Sequence, residues 1–233
     1  DINDFTAGMK RLLKPLGTIT LEFPHLLGIL NKNQFDTIYH EHFSYLSLFS
    51  VEKIFDAFDL RVYKIIKIPT HGGSLRIYGC HRDCAINTDQ SVVDVREQED
   101  AAGVTRKSTY FNFEKTATTV KNNFLAFLID AWSRGKKVVA YGAAAKGNTL
   151  LNYAGVRADL ISYVCDVADS KVGKFLPGSH IPIVSVDRLL KDEDVDYVLI
   201  LPWNIKDEII ENLRTRLSPT VKFVCAIPTL EIM

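Results

Sequence analysis

The 233-residue sequence has no excess of charge of either sign, little cysteine and no long hydrophobic run. Lysine and arginine together number 28, as do aspartate and glutamate, so the basic excess usual in general nucleic-acid-binding proteins is missing. No apolar stretch approaches the roughly 18 residues that a membrane-spanning helix requires. No basic segment followed by an apolar one indicates a secretory signal. We therefore expect no nucleic-acid partner and no membrane partner.

The four cysteines are Cys80, Cys84, Cys165 and Cys225. Only the first two are close in sequence, and no second pair at zinc-site spacing accompanies them. This pattern predicts reduced, mostly buried cysteines in a cytoplasmic protein, with no metal site.

The length and the hydrophobic fraction of 47% predict one large globular domain or two small ones. Residues 1–14 have apolar positions at helical spacing, and residues 18–23 form a β-rich run, which together indicate the end of an α/β unit. A short amphipathic helix is predicted over residues 51–60. Residues 61–68 and 74–80 are predicted to form an antiparallel hairpin around a Gly-Gly loop.

The chain changes character after residue 83. Residues 84–110 are polar and are predicted to be a connector. A helical stripe follows from Tyr110 and ends at Gly135, a residue suited to a helix C-terminus. Beyond Gly135 strands and helices alternate up to residue 225, which predicts an α/β domain with a parallel sheet. The expected second domain is residues 111–233.

The densest polar cluster is Tyr39-His40-Glu41-His42. Histidine accepts a proton near neutral pH, and a neighbouring carboxylate tunes it. In a helical turn Tyr39 and His42 share a face, whereas in a strand His40 and His42 do. The residues alone leave three interpretations open: acid–base catalysis, a His-x-His metal site, or a hydrogen-bonded structural cluster.

A second cluster is His71-Gly72-Gly73-Ser74-Leu75-Arg76. Paired glycines allow backbone amides to approach an anion, and Arg76 offers a planar fork for phosphate. The alternative interpretation is a tight hairpin turn.

The third cluster joins a predicted strand to a predicted helix through Tyr141-Gly142-Ala143-Ala144-Ala145-Lys146-Gly147-Asn148. Its Gly-x-Ala-x-x-Gly spacing is a degenerate dinucleotide fingerprint, in which alanine replaces the glycine that admits a pyrophosphate. Asp166 follows the next strand, where a ribose-binding acid is expected. Phosphate contact at the helix start and simple close packing of strand and helix both fit.

In this order, the three clusters resemble S-adenosylmethionine-dependent C-methyltransferases that act on nucleotide-linked keto-sugars. The resemblance implies methyl transfer to the carbon alpha to the ketone of a keto-deoxysugar. Residues 1–83 would end a class I methyltransferase sheet, and residues 111–233 would be a Rossmann-like domain. The family's glycine-rich cofactor loop and zinc cysteines have no counterpart here, so a fragment that binds S-adenosylmethionine weakly or not at all is expected. Zinc is expected only in a missing N-terminal module.

The resemblance also implies roles for individual residues. His42 and Tyr39 are candidates for base and proton relay, and Glu41 would orient them. The implied substrate contacts are His71, Gly72, Gly73, Ser74, Arg76, Gly142, Lys146, Gly147 and Asn148. The loop of residues 142–148 is expected to contact the substrate's nucleotide diphosphate. The alternatives are a nicotinamide-dependent oxidoreductase and a non-catalytic module that binds a nucleotide sugar.

Overall fold

The computed structural model describes residues 1–233 apart from the side chain of His71. The helices are α1 Ile2–Leu12, α2 Leu26–Asn31, α3 Leu48–Ala57, α4 Gln90–Ala102, α5 Lys107–Ser133, α6 Ala145–Ala154, α7 Val186–Leu190 and α8 Lys206–Arg214. The strands are β1 Ile19–Pro24, β2 Leu60–Ile68, β3 Ser74–His81, β4 Lys137–Tyr141, β5 Val164–Asp166, β6 Ile183–Ser185, β7 Val195–Ile200, β8 Lys222–Cys225 and β9 Glu231–Ile232. Short 3-10 turns cover Phe35–Thr37, Thr70–Gly72 and Trp203–Ile205.

The chain divides into two compact units. The N-terminal unit comprises Asp1–Asn31 and Phe43–Asn112, and the C-terminal unit comprises Lys32–His42 and Phe113–Met233. This division differs from the boundaries expected from sequence in two ways. The short segment Lys32–His42 groups with the C-terminal unit, because Phe35 belongs to that unit's hydrophobic core. Helix α4, within the expected connector, packs in the N-terminal unit.

The N-terminal unit is built on a three-stranded sheet in the order β1-β3-β2, with both strand pairs antiparallel. The predicted hairpin is therefore confirmed, with β2 and β3 as its strands. Leu75 and Ile77 on β3 are fully buried, two residues apart as the pleat requires. They pack with Leu48, Val51 and Phe55 of α3 in one core.

Helix α4 occupies the middle of the expected connector. Asp89 accepts a hydrogen bond from the amide of Ser91 as its N-cap, and Gly103 ends it in the left-handed conformation with φ 69°. Its buried residues are Val92, Val95 and Glu99, which follow one helical face. The apolar part of this face consists of only two valines, which explains why the polar composition of the segment suggests a connector.

Glu99 joins three elements of the N-terminal unit. Its carboxylate accepts from the amides of Leu48 at 2.6 Å and Phe49 at 2.9 Å, at the start of α3. His25 Nε2 lies 2.7 Å from the same carboxylate. Burial raises the pKa of Glu99, but the His25 and amide hydrogen bonds outweigh it, so the net pKa is lowered. The ionised carboxylate therefore stabilises the folded state.

We expect Glu99→Gln to lower the free energy of unfolding at pH 7 by about 2 kcal/mol, since a buried charged acceptor is lost. Because the folded-state pKa is depressed, the contribution is present above the unfolded pKa and disappears as pH falls through the folded value. Chemical denaturation at pH 7 and pH 3 measures this. Glu97→Gln, at an exposed position of the same helix, is the control and should cost nothing measurable. Equal losses in both variants would contradict this account.

The C-terminal unit contains a six-stranded sheet in the order β6-β5-β4-β7-β8-β9. All neighbouring pairs are parallel except β8 with β9. Successive residues of β4 and β7 enter two separate cores, as in a sheet covered by helices on both faces. The predicted Rossmann-like α/β fold is confirmed, and the antiparallel β9 was not anticipated. The strand order reverses between β4 and β7, whose carboxyl ends mark the switch point where such sheets bind ligands.

All four cysteines are free, and Cys80, Cys165 and Cys225 are buried. Among the side chains described, no group of three or more histidine, cysteine, aspartate or glutamate residues is placed to hold a metal ion. Within the same residues, no helix is both long enough and apolar enough to cross a membrane.

Candidate functional site

Residues 39–42 form a tight turn in the C-terminal unit. The amide of His42 donates to the carbonyl of Tyr39 at 3.0 Å, and the two rings lie with centroids 4.5 Å apart at an interplanar angle of 33°. Of the two backbone alternatives left open by the sequence, the structure therefore has the turn. It brings Tyr39 and His42 together.

The members of the cluster differ in exposure. Tyr39 and His42 are half-buried, whereas His40 and Glu41 are exposed. A half-buried imidazole beside a phenol is partly shielded from solvent and can still be reached by a ligand. Proton transfer between the imidazole and a substrate requires this access. The exposed Glu41 carboxylate lies within the same turn.

A buried carboxylate lies three residues before this turn. Asp36 is 1% exposed and accepts from Trp203 Nε1 at 2.7 Å. Burial raises the pKa of Asp36 to about 6, against the lowering effects of the Trp203 hydrogen bond and of the Lys146 charge. Phe35 beside it packs on Tyr153 with ring centroids 5.3 Å apart. Sequence reasoning missed Asp36 and Trp203; the one available signal was an aspartate between the apolar residues that precede the motif.

Lys146 also faces the interior. It is 8% exposed, and its Nζ lies 4.6 Å from the centroid of the Trp203 ring, without a hydrogen-bond partner among the described residues. Burial lowers the pKa of Lys146, and the nearby Asp36 carboxylate partly offsets this effect. The sequence suggests a charge at the mouth of the loop, but the structure places it beside Asp36 and Trp203.

Close packing accounts for both glycines of the degenerate fingerprint. Gly142 has φ +91°, and a Cβ there would lie 2.4 Å from Pro202 Cγ. A Cβ on Gly147 would lie 2.6 Å from Leu201 Cβ. At the start of α6, where Ala144 is the N-cap residue, no described side chain provides a capping hydrogen bond. The loop is thus a tight strand–helix junction whose first amides are left without such a cap.

A cavity of about 900 Å³ lies at the carboxyl edge of this sheet, lined in part by Tyr141, Gly142, Lys171 and Arg216. Asp166, the expected ribose-binding acid, also lines it. Its carboxylate accepts from the amides of Ala143 at 2.7 Å and Ala168 at 2.8 Å, and from Lys171 Nζ at 3.2 Å. The Asp166 carboxylate therefore bonds to backbone amides of two loops of the protein itself. Lys146 is not among the described residues that line the cavity.

The His71 to Arg76 cluster lies in the N-terminal unit, where it forms the β2–β3 turn. The Gly73 amide and the buried Ser74 hydroxyl both donate to the carbonyl of Thr70, and Gly73 has φ 130°. Arg76 is half-exposed and donates to Glu22 through Nε at 3.1 Å and Nη2 at 2.9 Å. Gly72 ends the 3-10 turn. The predicted contact through the His71 side chain lies outside the described residues.

Comparison with known proteins adds two findings. Residues 69–228 match the model of the C-methyltransferase C-terminal domain. The chain is 35% identical over 228 residues to the C-methyltransferase NovU of Streptomyces niveus, and the alignment covers 98% of the chain and 54% of NovU. The chain thus spans about half the length of this curated relative.

Proposed function

This chain belongs to the C-methyltransferase family, and from that membership we propose that its polypeptide methylates a carbon atom of a nucleotide-linked keto-deoxysugar. The acceptor carbon is alpha to the ketone, and the donor is S-adenosylmethionine. The Tyr39/His42 pair, with ring centroids 4.5 Å apart, carries the proposal. A proton acceptor beside a phenol is what removal of a proton alpha to a ketone demands.

The proposed reaction begins with the acceptor. His42 takes the alpha proton, and the electron pair of the C–H bond becomes part of an enolate on the substrate. Tyr39 orients the imidazole and relays the proton, and Glu41 tunes the pair from the exposed side of the turn. Holding the acceptor carbon against the imidazole contributes to the rate through proximity.

The donor supplies an electrophilic methyl group on a sulfonium. Packing against Pro202 and Leu201 accounts for Gly142 and Gly147 at the strand–helix junction, so these two glycines do not indicate a site for the donor. The steps assigned to this chain are therefore those of the acceptor's proton.

We further propose that the nucleotide diphosphate lies against the start of α6. The first amides of that helix have no cap from a described side chain, and a helix N-terminus favours negative charge. Lys146 adds positive charge from the interior, while Gly142, Gly147 and Asn148 shape the junction. Gly72, Gly73, Ser74 and Arg76 are proposed as a second set of substrate contacts.

A nicotinamide-dependent oxidoreductase has one supporting observation, the Rossmann-like strand order. One observation opposes it. Asp166, the expected ribose-binding acid, already accepts from the amides of Ala143 and Ala168.

The test uses the complete natural polypeptide, S-adenosylmethionine labelled with deuterium in its methyl group, and a thymidine-diphosphate-linked 4-keto-6-deoxysugar. We expect a product in which the labelled methyl replaces one hydrogen on the carbon next to the ketone, located by mass spectrometry and NMR. Label on oxygen or nitrogen would contradict the proposal. Binding of the sugar nucleotide without methyl transfer would favour the non-catalytic alternative.

A further inference from the structure

A buried charged cluster in the C-terminal unit has two members, Asp36 and Trp203, with no role in the chemistry above. It consists of Asp36, Lys146 and Trp203 and is called here the anchor cluster. Asp36 Oδ1 and Lys146 Nζ are both inaccessible to solvent and lack hydrogen-bond partners within the described part of the chain. Buried charges with unsatisfied atoms are costly to a fold. Such a cost is commonly retained where a polar group has a functional duty.

We propose that Asp36 and Trp203 are positioning residues, which hold the Tyr39/His42 turn in its working geometry through the bond from Trp203 Nε1 to the Asp36 carboxylate. This inference rests on the proposed function, because it assigns the two residues a purpose in that reaction. Neither side chain is proposed to touch the substrate.

The bond to Asp36 lies within a segment that has little regular structure. Lys32–His42 contains only the 3-10 turn Phe35–Thr37. The 2.7 Å bond joins Asp36 to a residue 167 positions away in sequence. Asp36 precedes Tyr39 by three residues, a span of at most about 10 Å. A displacement of Asp36 is therefore expected to move the Tyr39/His42 pair.

Backbone hydrogen bonds connect the residues around Asp36 to the Tyr39/His42 turn. The amide of Ile38 donates to the carbonyl of Phe35 at 3.0 Å, and the amide of Tyr39 donates to that of Thr37 at 3.1 Å. The amide of His42 in turn donates to the carbonyl of Tyr39 at 3.0 Å. These consecutive hydrogen bonds make the segment one short rigid unit, so the Asp36 bond orients the whole of it.

The charge of Asp36 affects the strength of its bond to Trp203. The groups that face it are Trp203, Lys146 of α6 and the thiol of Cys225 on β8. Burial raises the pKa of Cys225, so that thiol stays neutral and adds no opposing charge. With its own pKa raised to about 6, Asp36 is ionised at pH 7.5 and neutral at pH 5. An ionised acceptor makes the stronger bond to Trp203, so the anchor weakens as pH falls through 6.

A spectroscopic experiment tests the anchor without requiring turnover. The chain has two tryptophans, and Trp132 on α5 is 64% exposed. In the Trp132→Phe variant Trp203 is the sole tryptophan, and we expect its emission to change with a midpoint near pH 6. Adding Asp36→Asn should abolish that transition. A flat emission profile in the parent variant, or a transition that survives Asp36→Asn, would overturn the inference.

Steady-state kinetics of the complete natural polypeptide distinguish a positioning role of Asp36 and Trp203 from a role in stability alone. Trp203→Phe keeps a ring beneath Lys146 but removes the N–H donor. We expect kcat to fall about tenfold with KM within about twofold, the pattern of an interaction expressed in the chemical step. Trp132→Phe makes the same chemical change at an exposed site and should leave both constants unchanged. Asp36→Asn keeps an acceptor and should lose only about threefold in kcat.

Three results are decisive. An active wild type whose kcat is unchanged by Trp203→Phe, with only the melting temperature lowered, would assign the anchor cluster to structure alone and overturn the positioning role. A wild type without methyl transfer would instead overturn the proposed function, and the emission titration would still show whether Asp36 and Trp203 are coupled. The predicted tenfold loss of kcat with unchanged KM supports both proposals.

Discussion

His42→Asn in the complete natural polypeptide is expected to lower kcat by about a thousandfold, within the range that general bases contribute. Asparagine is polar but cannot take a proton, so the change removes the proton acceptor. KM for the sugar nucleotide should change by less than about threefold, because the loss falls on the chemical step. Tyr39→Phe removes a relay rather than the base, and about a tenfold loss is expected.

His40→Asn provides the matched control, since it makes the same substitution in the same turn at an exposed position. We expect its kcat to stay within about twofold of wild type. Steady-state kinetics on the three variants measure this. Wild-type turnover in both His42→Asn and Tyr39→Phe would make the cluster structural, and an equal loss in His40→Asn would remove the distinction between the two histidines.

Gly142→Ala is expected to lower the free energy of unfolding by about 3 kcal/mol, as backbone strain and overpacking combine. Its φ of +91° suits glycine, and the new Cβ would lie 2.4 Å from Pro202 Cγ. Both the loop and the proline that follows β7 would have to shift. The measurement is urea denaturation of the isolated chain.

Gly155→Ala separates the two contributions. Gly155 has φ +69° at the end of α6, and a Cβ added there would meet no described atom within 4 Å. This variant should lose only about 1 kcal/mol from the backbone alone. Equal losses at the two positions would show that contact with Pro202 is unimportant, and the packing explanation of the fingerprint glycine would be wrong.

Elements governed by local pattern could be predicted from the sequence. The β2–β3 hairpin follows from two β-rich runs around Gly72 and Gly73, and the β4–α6 junction from a strand that runs into a Gly/Ala-rich turn. Helix α4 was missed because its buried face is a narrow stripe among charged residues. The two valines of this face can be identified as core residues only once the tertiary structure shows the core that they pack into.

The candidate site shows a similar division. The Tyr39/His42 pair could be found because its members lie three positions apart. Its anchor could not, because Asp36 and Trp203 are 167 positions apart and meet only through the tertiary fold. The sequence also could not show where the Lys146 side chain points. A lysine side chain at the start of a helix can extend into solvent or pack on an aromatic ring.

Exchange of the alpha proton of the keto-sugar with solvent deuterium tests the central claim, that the Tyr39/His42 pair deprotonates the acceptor carbon. The complete natural polypeptide is incubated with the thymidine-diphosphate-linked keto-sugar and S-adenosylhomocysteine in D2O, and proton NMR follows the hydrogen next to the ketone. We predict that wild type and His40→Asn remove this signal and that His42→Asn does so about a thousandfold more slowly. Equal exchange rates in wild type and His42→Asn would contradict the account.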